Sequence, residues 1–216
     1  MPTLARLAAG VPRRRPRIGL LGGSFNPAHD GHVHISLIAL SRLRLDRVWW
    51  LVSPQNPLKS ETGMASLAER LARARQLATD RRLVASDLER TLHTRYTVDT
   101  VAILRRRLPR ARFVWIMGAD NLAQITRWRR WPELFETVSI AIFDRPTYSR
   151  SAMASIAARS FRRQRVPARM YAKLADLEPP AWAYIRAAPH PESATRLRQL
   201  GVWPRGGATA GGGQRP

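Results

Sequence analysis

The sequence predicts a doubly wound α/β fold in which helices cover both faces of a parallel sheet. Two observations lead to this fold class. The apolar runs are continuous and do not alternate with polar residues, which is typical of strands buried on both faces. Helical patterns separate these runs along the chain, as crossover connections between parallel strands require. We therefore predict a Rossmann-like sheet with a small helical C-terminal part, whose ligands bind beyond the carboxyl ends of the strands.

The predicted elements follow one another in βα order. Strands are predicted at residues 17–21, 48–52, 83–85, 113–117 and 138–143. Helices are predicted at residues 31–43, 67–78 and 97–108. Pro109 stops the last of these helices, because proline lacks the amide hydrogen that a continuing helix needs. Residues 150–178 have helical character without a clear pattern, and the role of residues 150–192 is left open.

The length of 216 residues suits one domain, which we place at residues 17–204. Residues 1–16 are basic and contain no acidic residue, and residues 205–216 are rich in glycine. Both are predicted to be disordered tails. An Arg-rich, acid-free start also occurs in transit peptides, but no clear cleavage pattern follows it here.

The formal net charge of +22 favours anionic partners such as nucleotides. Only Lys59 and Lys173 are lysines, and this skew towards arginine indicates a compositional bias spread over many surfaces. The arginines are scattered and no nucleic-acid-binding motif is present, which argues against a nucleic-acid partner. The chain contains no cysteine, which excludes disulfides, thiolate metal sites and cysteine nucleophiles. We expect a cytoplasmic protein without a membrane-spanning segment.

The segment with the most chemical information is residues 22–32 (GGSFNPAHDGH), between the first predicted strand and helix. Gly22 and Gly23 let the backbone approach a ligand and adopt a positive φ where one is needed. Amide groups at the helix start then point at an anion. His29 and His32 can face one phosphate across the first turn and stabilise its developing charge. Histidines at this spacing also occur in zinc sites, but without cysteine and a third carboxylate no metal site is predicted.

This order of strand, Gly-Gly, Asn-Pro turn, His-x-Gly-His and helix resembles the signature of the class I-type nucleotidyltransferase superfamily. Other segments narrow the resemblance to the nicotinate-nucleotide adenylyltransferase family, over roughly residues 17–202. The resemblance implies that the first segment binds ATP through Gly22, Gly23, Ser24, Phe25, His29 and His32. Asn26 stands where family members usually have aspartate, so no charged role is carried over to it.

Two further segments match the family. One resembles a loop that binds phosphate, and the other resembles the site of the acceptor, the mononucleotide that receives AMP. Residues 56–59 (NPLK) resemble the loop that delivers a lysine, here Lys59, to phosphate. Residues 94–100 (TRYTVDT) resemble the family's Tyr-Thr-x-Asp-Thr segment, which implies an acceptor site at Tyr96, Thr97 and Ser24. Thr97 suits a helix N-cap, and the free amides behind such a cap suit a carboxylate.

Four matches after the fourth predicted strand complete the resemblance. Residues 118–121 (GADN) resemble the family's Gly-Ala-Asp segment and place Gly118 and Asp120 near ATP. Trp128 resembles the tryptophan that stacks on the pyridine ring, whereas Trp131 is expected to pack internally. Residues 144–146 (DRP), after the strand predicted at 138–143, resemble the family's Lys/Arg-Arg-Pro segment, which implies that Arg145 contacts ATP. Residues 193–198 resemble a C-terminal phosphate motif. That motif implies ATP contacts from Ser193, Thr195 and Arg198.

The resemblance implies transfer of AMP from ATP to nicotinate mononucleotide, giving deamido-NAD and pyrophosphate in NAD biosynthesis. His29, His32, Lys59 and Arg198 are the expected catalytic residues. Mg²⁺ is expected to be held mainly by the phosphates of ATP. The alternatives are a sibling transferase acting on nicotinamide mononucleotide or phosphopantetheine, and a non-catalytic nucleotide or nucleic-acid binder. Whether the protein forms a homo-oligomer is left open.

Overall fold

One sheet of six parallel strands forms the centre of the computed structural model, in the order β3-β2-β1-β4-β5-β6. The strands are Arg17–Gly23 (β1), Arg47–Val52 (β2), Leu83–Ser86 (β3), Arg112–Gly118 (β4), Ser139–Phe143 (β5) and Trp182–Ile185 (β6). The chain runs outward from β1 to β3 and then returns to the other side of β1. The carboxyl ends of β1 and β4 therefore flank the switch point of the topology, where doubly wound sheets bind ligands.

Helices connect the strands. The α-helices are Asp30–Arg42 (α1), Leu67–Leu77 (α2), Leu88–Thr91 (α3), Thr97–Arg107 (α4), Ala119–Gln124 (α5), Trp131–Thr137 (α6), Ser149–Met153 (α7), Ile156–Ser160 (α8) and Ala194–Gln199 (α9). Segments of 3₁₀-helix lie at Ile125–Arg127, Arg162–Gln164 and Ala168–Asp176. The three helices predicted from the sequence are present, each with ends within one residue of the prediction.

The structure describes residues 15–54, 64–145, 147–188, 194–201 and 203. Two expected phosphate-binding residues, Lys59 and Ser193, lie outside these residues. The same holds for residues 1–14 of the predicted N-terminal tail and for the whole predicted C-terminal tail. Among the helices that are described, none is long and apolar enough to cross a membrane.

Two hydrophobic cores, one on each face, hold the sheet between its helices. Trp49 and Trp50 are neighbours on β2 and are both fully buried, yet they belong to different cores, because successive strand residues point to opposite faces. Trp49 packs in the same core as Trp115, and Trp50 packs in the other with Phe25. This double burial explains why the strands read as continuous apolar runs, and it confirms the predicted fold class.

The prediction of the C-terminal part was incomplete in one respect. Between residues 149 and 176 the structure has two five-residue helices and 3₁₀ turns, in agreement with the weak helical pattern. It then adds β6, which pairs in parallel with β5 and was not predicted. Four residues are too few to show a strand pattern, so β6 is set by its pairing with a completed sheet. Arg145 therefore follows the penultimate strand and not the last one.

Candidate active site

A cavity of about 420 Å³ opens at the carboxyl ends of β1 and β4. Most of the site residues predicted from the sequence line this cavity. From the first segment these are Gly22, Gly23, Ser24, Phe25, His29 and His32. From the rest of the chain they are Tyr96, Thr97, Asp120, Trp128, Arg145, Thr195 and Arg198. Among the predicted site residues that the structure describes, only Gly118 does not line the cavity. Gly118 is the N-cap of α5.

The two histidines lie side by side at the start of α1. Their ring centroids are 3.9 Å apart, His29 is the N-cap, and His32 is the third helical residue. The backbone N–H of His29 donates to Nδ1 of His32 at 3.2 Å. When His32 is neutral and accepts at Nδ1, its proton lies on Nε2, which makes that atom a hydrogen-bond donor. The helix N-terminus adds its positive field at the same place, so this corner of the cavity favours phosphate.

The backbone of the first loop is unusual at Phe25 and not at the two glycines. Phe25 has a φ of +46°, in the left-handed region that aromatic residues rarely adopt. Its ring is buried, stacks on Trp50 at 5.5 Å and lies 4.6 Å from the ring of His32. Neither Gly22 nor Gly23 has a positive φ, so this loop does not use the freedom of glycine to adopt one. A Cβ on Gly22 would overlap the ring of Trp115, and close packing is the reason for this glycine.

Asn26 connects the first loop to the C-terminal part of the chain. Its Oδ1 accepts from the backbone N–H of Ala65 at 3.2 Å and from Nε1 of Trp203 at 2.9 Å. Its backbone carbonyl accepts from Nη1 of Arg198, and Nη2 of Arg198 contacts Oγ1 of Thr195 at 3.3 Å. Asn26 thus has a structural role that needs no charge, and it places Arg198 beside the loop that carries the histidines.

The opposite side of the cavity carries aromatic side chains and includes the start of α4. Tyr96 is the N-cap of α4 and Thr97 its first helical residue, so the prediction that Thr97 caps the helix was wrong by one position. No side chain caps this end, and the guanidinium of Arg129 lies 4.8 Å from the centroid of the Tyr96 ring. Trp128 meets Trp115 edge to face, with centroids 6.3 Å apart.

Trp131 packs internally, as expected. Its ring centroid lies 6.1 Å from those of Phe135 and Phe161, in T-shaped contacts, and it is not part of the cavity lining. Of Trp128 and Trp131, only Trp128 therefore lines the cavity, where a ligand can contact it.

Asp120 and Arg145 form an ion pair at the rim between β4 and β5. Nε of Arg145 lies 3.5 Å from Oδ1 of Asp120, and both side chains remain partly exposed. A Cβ on Gly118 would overlap that carboxylate, so a larger residue there would require the side chain of Asp120 to move. Solvent screens such a pair, and each partner stays available to a bound nucleotide.

Two buried charged residues of the site were missed by sequence reasoning. Arg70 on α2 is 1% exposed and donates to four backbone carbonyls, those of Ser24, Ser53, Pro54 and Ala65, at 2.7 to 3.0 Å. Burial lowers its pKa, but the guanidinium stays charged and is satisfied by these carbonyls. Nothing in the pattern of α2 distinguishes Arg70 from its neighbouring arginines, since only the tertiary contacts do so.

Glu89 on α3 is the second missed residue. It is 7% exposed and lines the cavity. Burial raises its pKa to about 7, against the smaller opposing effects of hydrogen bonds from Ser53 and Thr100. A glutamate on a four-residue helix looks like a surface residue in the sequence.

Comparison with known proteins places this site in a family. The family model described as cytidylyltransferase-like matches residues 20–199. A protein of Parvibaculum lavamentivorans named "Probable nicotinate-nucleotide adenylyltransferase" is 51% identical over 187 residues, which cover 87% of this chain and 93% of that protein. A Bradyrhizobium protein of the same name is 54% identical over 188 residues, or 87% of this chain and 98% of that protein. The chain belongs to the nicotinate-nucleotide adenylyltransferase family.

A solved structure supports the fold of this adenylyltransferase. The Plasmodium falciparum nicotinic acid mononucleotide adenylyltransferase, complexed with NaAD, matches with a TM-score of 0.63 at 16% identity. The match covers 86% of this chain and 83% of that one. At this identity the likeness establishes a common fold, and the residue roles rest on the geometry described above.

The described part of the adenylyltransferase contains no group of three or more histidine, aspartate or glutamate side chains that could hold a metal ion. Its cavity is lined instead by histidines, by arginines and by two carboxyl groups, Asp120 and Glu89. This set of side chains suits the binding of anions.

Proposed function

We propose that this chain transfers AMP from ATP to nicotinate mononucleotide, giving deamido-NAD and pyrophosphate. One observation carries the proposal: the His29–His32 pair and the aromatic side chains Tyr96 and Trp128 line the same cavity. An anionic triphosphate and a flat pyridine ring can therefore be bound together, with the acceptor phosphate between them. The family membership of the chain supports the same pair of substrates.

The two ends of the cavity suit different parts of the substrates. On the β1 side, the two imidazoles at the start of α1 and the guanidinium of Arg198 on α9 suit phosphate groups. On the α4 side, the uncapped amides behind Tyr96 suit the carboxylate of a nicotinate ring that stacks on Trp128. Asp120 and Arg145 lie at the rim of the cavity, where the nucleoside part of ATP would bind.

The reaction needs positioning and charge neutralisation more than proton transfer. A phosphate oxygen of the mononucleotide attacks the α-phosphorus of ATP in line, and the bond to the bridging oxygen of pyrophosphate breaks. The acceptor phosphate has its second pKa at about 6, so it is already a dianionic nucleophile near neutral pH and needs no general base. His32 and His29 offer N–H donors to the phosphate oxygens, and Arg198 adds positive charge as negative charge builds up on these oxygens.

We propose that Mg²⁺ enters as part of the ATP substrate. Magnesium retains several waters and is commonly held by substrate phosphates with few protein ligands. The side chains that line the cavity fit this arrangement, since they can neutralise phosphate without a metal cage. Lys59 and Ser193 stay proposed phosphate ligands, and the cytoplasmic location stays a prediction.

Pyrophosphate release from ATP and Mg²⁺ tests the proposal, with nicotinate and nicotinamide mononucleotides compared side by side. We expect strong preference for the nicotinate compound. Equal use of both would keep the transferase and remove the selectivity. Release only with phosphopantetheine, or none with any acceptor, would overturn the proposal in favour of a sibling transferase or a non-catalytic binder. Steeply salt-dependent binding of DNA or RNA would favour a nucleic-acid binder.

A further inference from the structure

Glu89 has a buried carboxyl group in a cavity otherwise rich in cationic side chains, and the phosphate chemistry makes no use of it. It is 7% exposed, and within the residues that the structure describes no arginine, lysine or histidine lies within ion-pair distance of it. A buried carboxylate without a cation is costly, so the uncharged form is favoured. Burial accordingly raises the pKa of this group to about 7.

The hydrogen bonds to Glu89 only partly offset the cost of burying its carboxyl group. Oγ1 of Thr100 lies 3.5 Å from Oε1 of Glu89, which is long for a hydrogen bond, and it lies closer to the carbonyl of Tyr96, at 3.3 Å, and to Oγ1 of Thr94, at 2.8 Å. The hydrogen bonds from Ser53 and Thr100 favour the charged form, but burial has the larger effect on the pKa of Glu89.

Glu89 also connects the two halves of the cavity. Its carboxyl group is hydrogen-bonded to the side chain of Ser53, which directly follows β2. Arg70 holds the backbone carbonyl of the same Ser53, at 2.8 Å, and that of Ser24, at 2.7 Å. On the other side, Thr100 belongs to the first turn of α4, where the proposed acceptor site begins. A change in the charge of Glu89 therefore changes the electrostatic potential at the proposed acceptor end of the cavity.

We propose that Glu89 is a specificity-determining residue for the acceptor. When Glu89 is uncharged, a mononucleotide whose ring carries a carboxylate can bind. When Glu89 is ionised, that acceptor is disfavoured relative to one whose ring carries an amide. The inference rests on the proposed function and names a residue that sets its acceptor preference. At low pH the carboxylate of the nicotinate ring binds in a cavity whose Glu89 is uncharged. At high pH Glu89 is negatively charged and repels that carboxylate. An amide ring, having no charge, is insensitive to this change.

In the part of the chain that the structure describes, no charged group on a neighbouring element forms an ion pair with Glu89. On α3 itself Arg90 pairs with Asp87, and on α4 Asp99 pairs with Arg130. The guanidinium of Arg70 is directed at carbonyls. The other titratable groups of the cavity that bear on the proposal are His29, His32, Arg95, Asp120, Arg127 and Arg145. Histidine titration near the phosphates affects both acceptors alike, because their phosphates are identical.

The experiment measures kcat/KM for nicotinate and nicotinamide mononucleotides from pH 6 to pH 8.5. Titration of the acceptor phosphate and of the histidines cancels in the ratio of the two values. We expect the ratio in the wild-type enzyme to fall about tenfold over this range, the effect of one like charge several ångströms away in a medium of intermediate dielectric. In Glu89→Gln, which keeps the shape and cannot ionise, we expect a ratio independent of pH.

A second variant keeps the test decisive if Glu89→Gln does not fold. Thr100→Val removes a hydrogen bond that lowers the pKa of Glu89, so the midpoint of the wild-type fall should move to higher pH. A pH-independent ratio in the wild type, or parallel curves for wild type and Glu89→Gln, would overturn the inference while leaving the proposed function intact. A wild-type enzyme that turns over neither mononucleotide at any pH would overturn both.

Discussion

Arg198 donates a hydrogen bond from Nη1 to the backbone carbonyl of Asn26 across 172 residues of sequence. This contact connects α9, near the end of the described chain, with the loop that carries the two histidines. Arg198 brings a permanent positive charge to the corner of the cavity where the two histidines lie. The end of the cavity that we propose binds phosphate therefore combines residues of the first loop and of α9.

Replacing Arg198 should weaken ATP binding. We expect Arg198→Ala to raise the KM for ATP about tenfold, in line with the loss of a charge-assisted hydrogen bond, and to change the KM for the mononucleotide less. Gln199→Ala, one residue further on α9 and exposed, is the matched control and should behave as wild type. Equal changes in both KM values would indicate general disorder of the site instead.

Removing the imidazole of His32 should abolish transfer and leave the fold intact. We expect His32→Ala to lower kcat/KM at least about 100-fold, the scale of losing a donor to developing charge. Pyrophosphate release measures the loss, and the circular dichroism melting curve checks the fold. His34→Ala is the control, because His34 contacts the carbonyl of Ala188 and does not line the cavity. Near-normal turnover of His32→Ala would refute the assigned role.

Trp128 and Trp131 should separate binding from stability. We expect Trp128→Ala to raise the KM for the mononucleotide about tenfold, because aromatic stacking and its buried area are lost. Trp131→Ala should leave that KM unchanged and lower the free energy of unfolding by about 2 kcal/mol, since its ring packs on Phe135 and Phe161. An unchanged acceptor affinity in Trp128→Ala would rule out stacking.

Arg70 should be required for stability although it is a charged residue. Arg70→Gln leaves several buried carbonyls without a donor, and we expect the free energy of unfolding to fall by at least about 3 kcal/mol in urea titrations. Arg75→Gln, on the exposed side of the same helix, should change it by less than about 0.5 kcal/mol. Similar effects of the two substitutions would contradict the role of Arg70.

Glu89 should also make stability depend on pH. Its pKa rises from an ordinary value of 4.5 to about 7 on folding, so between these values the folded state binds more protons than the unfolded state. The contribution to stability is fully present below pH 4.5 and is lost as pH rises through 7. Relative to Glu89→Gln, the wild-type protein should lose about 2 to 3 kcal/mol between pH 4.5 and pH 8. A constant difference between the two unfolding curves over that range would show that Glu89 does not titrate as described.

Much of the site could be predicted because local chemistry requires particular residues there. The segment from Gly22 to His32 places glycine, a turn and two histidines between a strand and a helix, and each residue type has a local reason. The bounds of α4 were predicted to within one residue, although its N-cap is Tyr96 and not Thr97. Trp128 and Trp131 were told apart by the apolar residues that follow Trp131.

The sequence by itself determined the fold class and the segments whose residues line the cavity, because periodicity and turn chemistry are properties of neighbouring residues. Only the tertiary structure decided the contacts between distant segments. It buried Arg70 among four carbonyls, left Glu89 with no ion pair to any other described residue, and made Gly22 necessary by placing Trp115 against it. It also added β6, which needs the neighbouring strand β5 to pair with. Burial and long-range hydrogen bonding set the charge of a side chain, and neither exists until the chain has folded.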